Sequence, residues 1–181
     1  MGTPKPKRKR NTRQDLVEAA IAEFETVGFE GTNTNRIARA AGYAPQTFYR
    51  HFDDKTAMFL TVYEQWYRDE LAQLASARSR GEAARIIVER HRATLRFRRS
   101  LRQLAYSDRK VALARATSRN LQIDRLAAIT AGRTRTELAA DLLKIERLAD
   151  AIAEGEFGDL KIGEDAALSE LAQLLFWIEA D

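Results

Sequence analysis

Cysteine is absent from the 181 residues, which removes disulfides and thiolate chemistry. Histidine is nearly absent: His51 and His91 lie far apart in the chain, so a His-rich metal site is excluded. Proline occurs only as Pro4, Pro6 and Pro45, and nothing beyond Pro45 forbids a helix on that ground. No apolar run approaches the roughly 20 residues needed to span a bilayer. The basic N-terminus has no apolar segment behind it, unlike a secretory signal. Asn-Gly and Asp-Gly hairpin signals are missing, as is sustained apolar/polar alternation. A Gly-rich phosphate loop, a nucleophile elbow and metal-ligand spacing are missing too. These absences point to a cytoplasmic, all-α protein that is no enzyme and needs no metal or cofactor.

What is present supports the helices. Apolar residues make up 45% and charged residues 31%, enough for a packed core. Long stretches of Ala, Leu, Arg and Glu, all strong helix formers, lie between punctuating glycines. Thr12 with Asp15 reads as a capping box opening a first helix. Its apolar face is Leu16, Ala20, Ile21, Phe24 and Val27, and Gly28 and Gly31 end it. A short second helix runs from Thr34 to Ala41 with Asn33 as its N-cap, and Gly42 breaks it. A third starts at Pro45, where proline at the first helical position loses no hydrogen bond. A fourth starts at Asp53 or Asp54 and reaches about Ala75, burying Met58, Phe59, Val62, Trp66, Leu71 and Leu74. Further helices are expected near 82–105 (kinked around Ser100), 108–131, 134–154, and from Glu164 to the end.

Residues 33–52 have the layout of a helix-turn-helix. Gly42 sits at the turn and Tyr43 plugs it. Phe48 and Phe52, four apart, face the core together, which leaves Gln46, Thr47, Tyr49 and Arg50 outside. A helix of this kind fits a DNA major groove. The sequence Ile37-Ala38-Arg39-Ala40-Ala41-Gly42, followed by Thr47-Phe48-Tyr49-Arg50-His51-Phe52 and Asp54-Lys55, resembles the DNA-binding domain of the TetR family of bacterial transcriptional regulators. Gly28-Phe29 and Gly31-Thr32 fit it as well. The resemblance covers residues 13–60, about the first third of the chain.

The resemblance implies roles at matching positions. Thr34 and Asn35 fall where the family touches phosphate, and sometimes a base, from the second helix. Pro45, Gln46, Thr47 and Arg50 fall on the recognition helix. Tyr49 and His51 fall at common phosphate contacts, and Lys55 at the start of the fourth helix. Gln46 stands where many members have a small residue, and Tyr43-Ala44 replaces the common Val-Ser; both bear on the operator sequence. The implied organisation is a disordered basic arm at 1–10, a DNA-binding domain at 11–58, and a helical effector-binding and dimerisation domain at 59–181. In the arm, Lys7, Arg8, Lys9 and Arg10 are the expected DNA contacts.

The implied function is a homodimeric repressor on a palindromic operator, released by a small-molecule effector. Control by a protein partner, or a helical ligand carrier, remain the alternatives. Tyr63, Trp66, Tyr67, His91, Leu95 and Tyr106 are the candidate ligand residues, because aromatics with a polar tip can wall a pocket and orient a ligand. Charge is uneven. Residues 60–130 hold fifteen Lys+Arg against seven Asp+Glu, and residues 131–181 hold five against twelve. Arg85, Arg92, Arg96 and Arg99 share a helical face that is either solvated or lines an anion site. The acidic end is a candidate to complement the basic middle across a domain or subunit contact. The last segment is apolar on more than one side. Leu171, Leu174, Trp177 and Ile178, with Leu142 and Ile145 before them, are therefore the candidate dimer interface. The chain ends sooner after this segment than many relatives do, which leaves room for a further C-terminal piece.

Overall fold

The structure, a computed structural model, describes residues 11–178; the basic arm with Lys7, Arg8, Lys9 and Arg10 lies outside them. Among the described residues every regular element is a helix, and they divide into two compact units that meet within one helix, after Val62.

The first unit holds α1 (Thr12–Val27), α2 (Thr34–Ala40), α3 (Pro45–Tyr49) and the start of α4 (Lys55–Leu74). Asn11, and not Thr12, caps α1: its side chain accepts from the Gln14 amide, and α1 begins one residue earlier than the Thr12–Asp15 pairing requires. Asp15 serves the core instead, accepting a 2.6 Å hydrogen bond from the Tyr43 hydroxyl. Asn33 caps α2 as expected, accepting from Arg36 N at 2.9 Å. Asp54 caps α4, accepting from Ala57 N at 2.6 Å. Leu16, Phe24, Ile37, Phe48, Met58 and Phe59 are fully buried. Phe59 meets Phe24 and Phe29 edge-on at 5.2 and 5.3 Å, a geometry that adds about 0.5–1.5 kcal/mol per pair beyond burial. At Gly31 an added Cβ would lie 2.3 Å from the Val27 carbonyl oxygen, so only glycine lets the chain turn back there.

The second unit continues α4 and adds α5 (Arg80–Ala93), α6 (Leu95–Ser107), α7 (Arg109–Ile129), α8 (Arg135–Glu154), the single turn α9 (Glu156–Asp159) and α10 (Glu164–Leu174). The sequence reading joined α5 and α6 with a kink at Ser100. The break lies at Thr94 instead, whose φ of −114° and ψ of 21° leave the helical region while its hydroxyl donates to Arg90 O at 2.7 Å. A side-chain bond back to the preceding turn competes with the backbone ladder, as Thr does. Helices α5, α8 and α10 pack together through Ala83, Ala84, Ile87, Val88, Ile145, Ala149, Ile152, Ala167, Leu171 and Leu175. Alanines at the contacts let the helix axes approach closely. α7 packs on α8 through Ile123, Leu126 and Leu138.

The last helix stops sooner than the sequence reading had it. α10 ends at Leu174, and the following turn is held by Arg80, whose Nε donates to Ile178 O at 2.8 Å and Nη2 to Phe176 O at 3.0 Å. The guanidinium thus takes carbonyls that a continued helix would have used. The apolar character that suggested a partner is largely absorbed within the chain. Leu171 is fully covered, so it has no surface left for a second subunit, and Ile145 is buried in the same core. Leu174, Trp177 and Ile178 pack against that core and Leu142 against the α7–α8 contact, each keeping part of its surface.

Candidate functional site

In the first unit, Gly42 sets the geometry of the turn. Its φ of +80° is a left-handed conformation that an L side chain rarely adopts. The Gly42 amide donates to Arg39 O and the Tyr43 amide to Ala38 O, both at 2.9 Å, the paired bonds of a Schellman stop. Ala44 is extended and Pro45 opens α3. Phe48 and Phe52 point inward, at 0% and 5% exposure. Because α3 has only five residues, this anchoring leaves Gln46, Tyr49, Arg50 and His51 exposed, with Pro45 and Thr47 half-buried. Asn35 is exposed on α2. Thr34 Oγ1 and the Tyr49 hydroxyl lie 2.8 Å apart, so one bond ties the start of α2 to the end of α3 and fixes the Tyr49 ring at the surface. Arg39, unassigned by the sequence reading, is exposed on the last turn of α2.

Lys55 differs from the sequence reading. Its ammonium turns inward, donating to Phe29 O at 2.7 Å and Thr32 O at 3.0 Å, and stands 3.9 Å from the centre of the Phe29 ring. Burial draws its pKa below the ordinary lysine value, with Glu30 opposing. The charge is therefore spent on the loop between α1 and α2.

In the second unit, α4 to α8 and the turn after α10 line a cavity of about 450 Å³. Tyr63, Trp66, Tyr67 and His91 line it, as expected. Leu95 and Tyr106 do not: Leu95 lies at the α5–α6 break and Tyr106 is 94% exposed near the end of α6. Helix periodicity explains the error at Tyr106, since Phe97, Leu101 and Leu104 take the buried face and Tyr106 falls on the other side. Apolar residues supply most of the wall, among them Leu71, Leu74, Leu126, Leu142 and Trp177. Tyr67 donates to Ser118 O at 3.1 Å, and burial raises the pKa of both Tyr63 and Tyr67, keeping them as neutral hydroxyls.

The arginines that reach the cavity are not those of the predicted face. Arg92 pairs with Glu164 and Arg99 with Glu154, while Arg85 and Arg96 are exposed away from it. Arg98, Arg115, Arg119 and Arg125 line it instead. The partners of Arg98, Arg115 and Arg119 are carboxylates of helices far along the chain, a pairing no local pattern could announce. Arg98 meets Glu70 at 3.1 Å and covers the Trp66 ring at 4.2 Å. Arg115 and Arg119 converge on the single carboxylate of Glu146. Glu146 begins a row on α8, continued at four-residue spacing by Asp150 and Glu154. Asp150 accepts from His91 Nδ1 at 2.8 Å and from Arg102; Glu154 accepts from Arg99 and Arg102. The acidic end does complement the basic middle, within this unit. Burial lowers the His91 pKa even against the Asp150 hydrogen bond, so the ring is neutral and donates through Nδ1. Burial would raise the Asp150 pKa, but the His91 bond and the neighbouring positive charges outweigh it and hold the carboxylate ionised.

Among the described residues no cluster of His, Cys, Asp and Glu is arranged to hold a metal, and no helix is long and apolar enough to cross a membrane.

Comparison with known proteins agrees with this geometry. The family model of the bacterial regulatory proteins, tetR family, matches residues 16–62. A transcriptional regulator from Rhodococcus sp. Rha1 superposes with a TM-score of 0.69 at 17% identity, over 93% of this chain and 96% of that one. A protein assigned to the TetR-family transcriptional regulators of Rhodococcus sp. gives 0.67 at 16%, over 92% and 97%. One assigned as a transcriptional regulator of Streptomyces coelicolor gives 0.60 at 20%, over 90% and 95%. At such identities the likeness is one of fold, and it runs through both units. With the helix-turn-helix built as described and the family's own pattern upon it, residues 16–62 form a DNA-binding domain of the tetR family of bacterial regulatory proteins, and the chain as a whole shares the fold of TetR-family transcriptional regulators.

Proposed function

We propose that this regulator is a cytoplasmic, non-enzymatic repressor that binds a near-palindromic operator as a homodimer and leaves it when a small molecule occupies the second unit. The observation that carries the effector is the cavity itself: at about 450 Å³, mostly apolar with a few convergent polar groups, it falls in the range of small-molecule sites. Residues 11–58 serve as the DNA-binding domain and 59–181 as the effector and dimerisation domain. Asn35, Gln46, Thr47, Tyr49, Arg50 and His51 form the DNA face, with Thr34 and Pro45 shaping it. Helix α4, which starts at Lys55 and supplies Tyr63, Trp66 and Tyr67 to the cavity wall, is the element suited to carry the signal. Effector and operator then weaken each other's binding by the same factor.

The dimer is supported by uncovered apolar surface. Leu113, Leu121 and Ile129 on α7 and Leu143 on α8 are each about half exposed or more and lie outside the cavity lining. A two-fold pair places the recognition helices about 34–36 Å apart, one turn of DNA. Selection of bound fragments from a genomic DNA pool tests the reading, and inverted repeats are expected. Sedimentation of the full chain at micromolar concentration should give a dimer, and Leu121→Glu with Leu143→Glu should give monomer with weakened operator binding. A wild-type monomer that binds single half-sites would sink the dimer.

A further inference from the structure

We infer that the cavity of the second unit takes an amphipathic carboxylic acid, with its carboxylate held by Arg115 and Arg119 and its apolar body against Trp66, Leu74 and Trp177. The inference rests on the reading of that cavity as the effector site. Its ground is a charge imbalance built into the wall. Arg115, Arg119, Gln122 and Leu126 recur on α7 at spacings of four, three and four, so one helix face presents two guanidinium groups, an amide and an apolar side chain to the same space. Arg98 is matched by its own carboxylate, Glu70. Arg115 and Arg119 have one carboxylate between them, that of Glu146, and each spends a single Nη2 donor on it. A guanidinium carries five N–H donors and no acceptor, so this pair retains both a net positive charge and unused donors. Arg125, also in the lining, adds to the excess.

Arg115 and Arg119 are half-buried, so their surplus positive charge is only partly solvated, and an anion entering the cavity pairs with it. A carboxylate matches the fork geometry, and two arginines can receive its two oxygens. The rest of the wall selects what the carboxylate is attached to. Apart from these ionic pairs, Gln122, Arg125 and His91, it is aliphatic and aromatic, which favours a hydrocarbon body over a sugar or a nucleotide. Trp66 adds a further feature: its Nε1–H is buried without an acceptor, so a hydroxyl or carbonyl oxygen on the ligand body would complete it. The same excess charge opposes quaternary ammonium compounds of equal apolar size.

Three probes with one tail and three heads test this: decanoate, decanol and decyltrimethylammonium, titrated into the full chain by calorimetry. Decanoate is expected to bind at least about tenfold more tightly than either of the others. Arg119→Gln and Arg115→Gln should each weaken decanoate by about tenfold and leave decanol nearly unchanged. Glu146→Gln should do the reverse, tightening decanoate, because it removes the competing carboxylate. This opposite sign separates binding from misfolding, since a merely damaged protein loses all three probes. Equal or better binding of the cation, an absence of binding by decanoate, or indifference of decanoate to all three substitutions would overturn the inference. Operator affinity is read separately. Decanoate that binds with this arginine and Glu146 dependence yet leaves DNA affinity unchanged supports the ligand class and refutes the release mechanism.

Discussion

Lys55 separates a structural role from a DNA contact, and Lys55→Met is the perturbation that does so. Methionine keeps most of the apolar stem and removes the ammonium. Two hydrogen bonds to the carbonyls of Phe29 and Thr32 are lost, together with the contact over the Phe29 ring. A hydrogen bond from a charged donor contributes about 1.5–3 kcal/mol, and a cation over an aromatic face about 0.5–2 kcal/mol. Two effects reduce the sum: burial already disfavours the charge, and water can reach a half-buried site to replace part of the bonding. The expected net loss is about 1–3 kcal/mol. For a unit of this size that lowers the melting temperature by on the order of 10 °C. Both tryptophans, Trp66 and Trp177, lie in the second unit, so their fluorescence does not report on the first. Hydrogen exchange is the suitable assay, and the amides of α1, α2 and the loop between them should lose protection. At a temperature where the variant is folded, operator binding should keep the wild-type salt slope. A lysine on a phosphate would give the opposite pattern, with stability intact and the slope shallower by about 0.9. That outcome would refute the inward role of Lys55.

Deleting residues 1–10 removes five Lys/Arg and should both weaken DNA binding and flatten its salt dependence; a slope equal to the full chain's would show that the arm does not touch DNA. Arg50→Ala and Gln46→Ala, both exposed on or beside α3, should alter base preference by about 1–3 kcal/mol at one operator position, measured by competition among single-base operator variants, whereas Tyr49→Ala should weaken all sequences alike. The second unit should lose stability on acidification because of His91. Its folded pKa lies below the unfolded value of about 6.5, so the unfolded chain takes up the proton first, and the loss sets in as pH falls through 6.5 and ends at the folded pKa. Asp150, whose pKa is depressed, contributes above its unfolded value of about 3.9 and loses that contribution only at lower pH. Urea unfolding followed by tryptophan fluorescence between pH 7.5 and 5.5 (about one unit either side of His91's unfolded pKa) reads the His91 window alone, and His91→Gln should flatten it. Asp150→Ala strands a buried imidazole N–H and one arm of Arg102, which keeps Glu154; the expected cost is about 2–4 kcal/mol in the same assay.

The helix-turn-helix was legible in the sequence because its determinants act over a few residues. Asn33 caps α2 through the amide three positions on, Gly42 supplies a positive φ, Pro45 sets the first turn of α3, and Phe48 and Phe52 fall on one face by period alone. These are backbone and steric constraints that need no distant partner. The tertiary structure decided everything that depends on which distant group is nearest. Lys55 faces two carbonyls 26 and 23 positions earlier, Arg80 ends the last helix by reaching carbonyls 96 and 98 positions later, and Glu146 gathers arginines 31 and 27 positions earlier. The aromatics Tyr63, Trp66, Tyr67 and His91 converge on one cavity while Tyr106 does not, although all five are alike in having an apolar body and a polar tip. The reason is physical. A capping bond or a glycine turn is fixed by local dihedral angles. The choice of a guanidinium's partner among many carboxylates follows from how the helices pack, which the apolar contacts of α5, α7, α8 and α10 determine first.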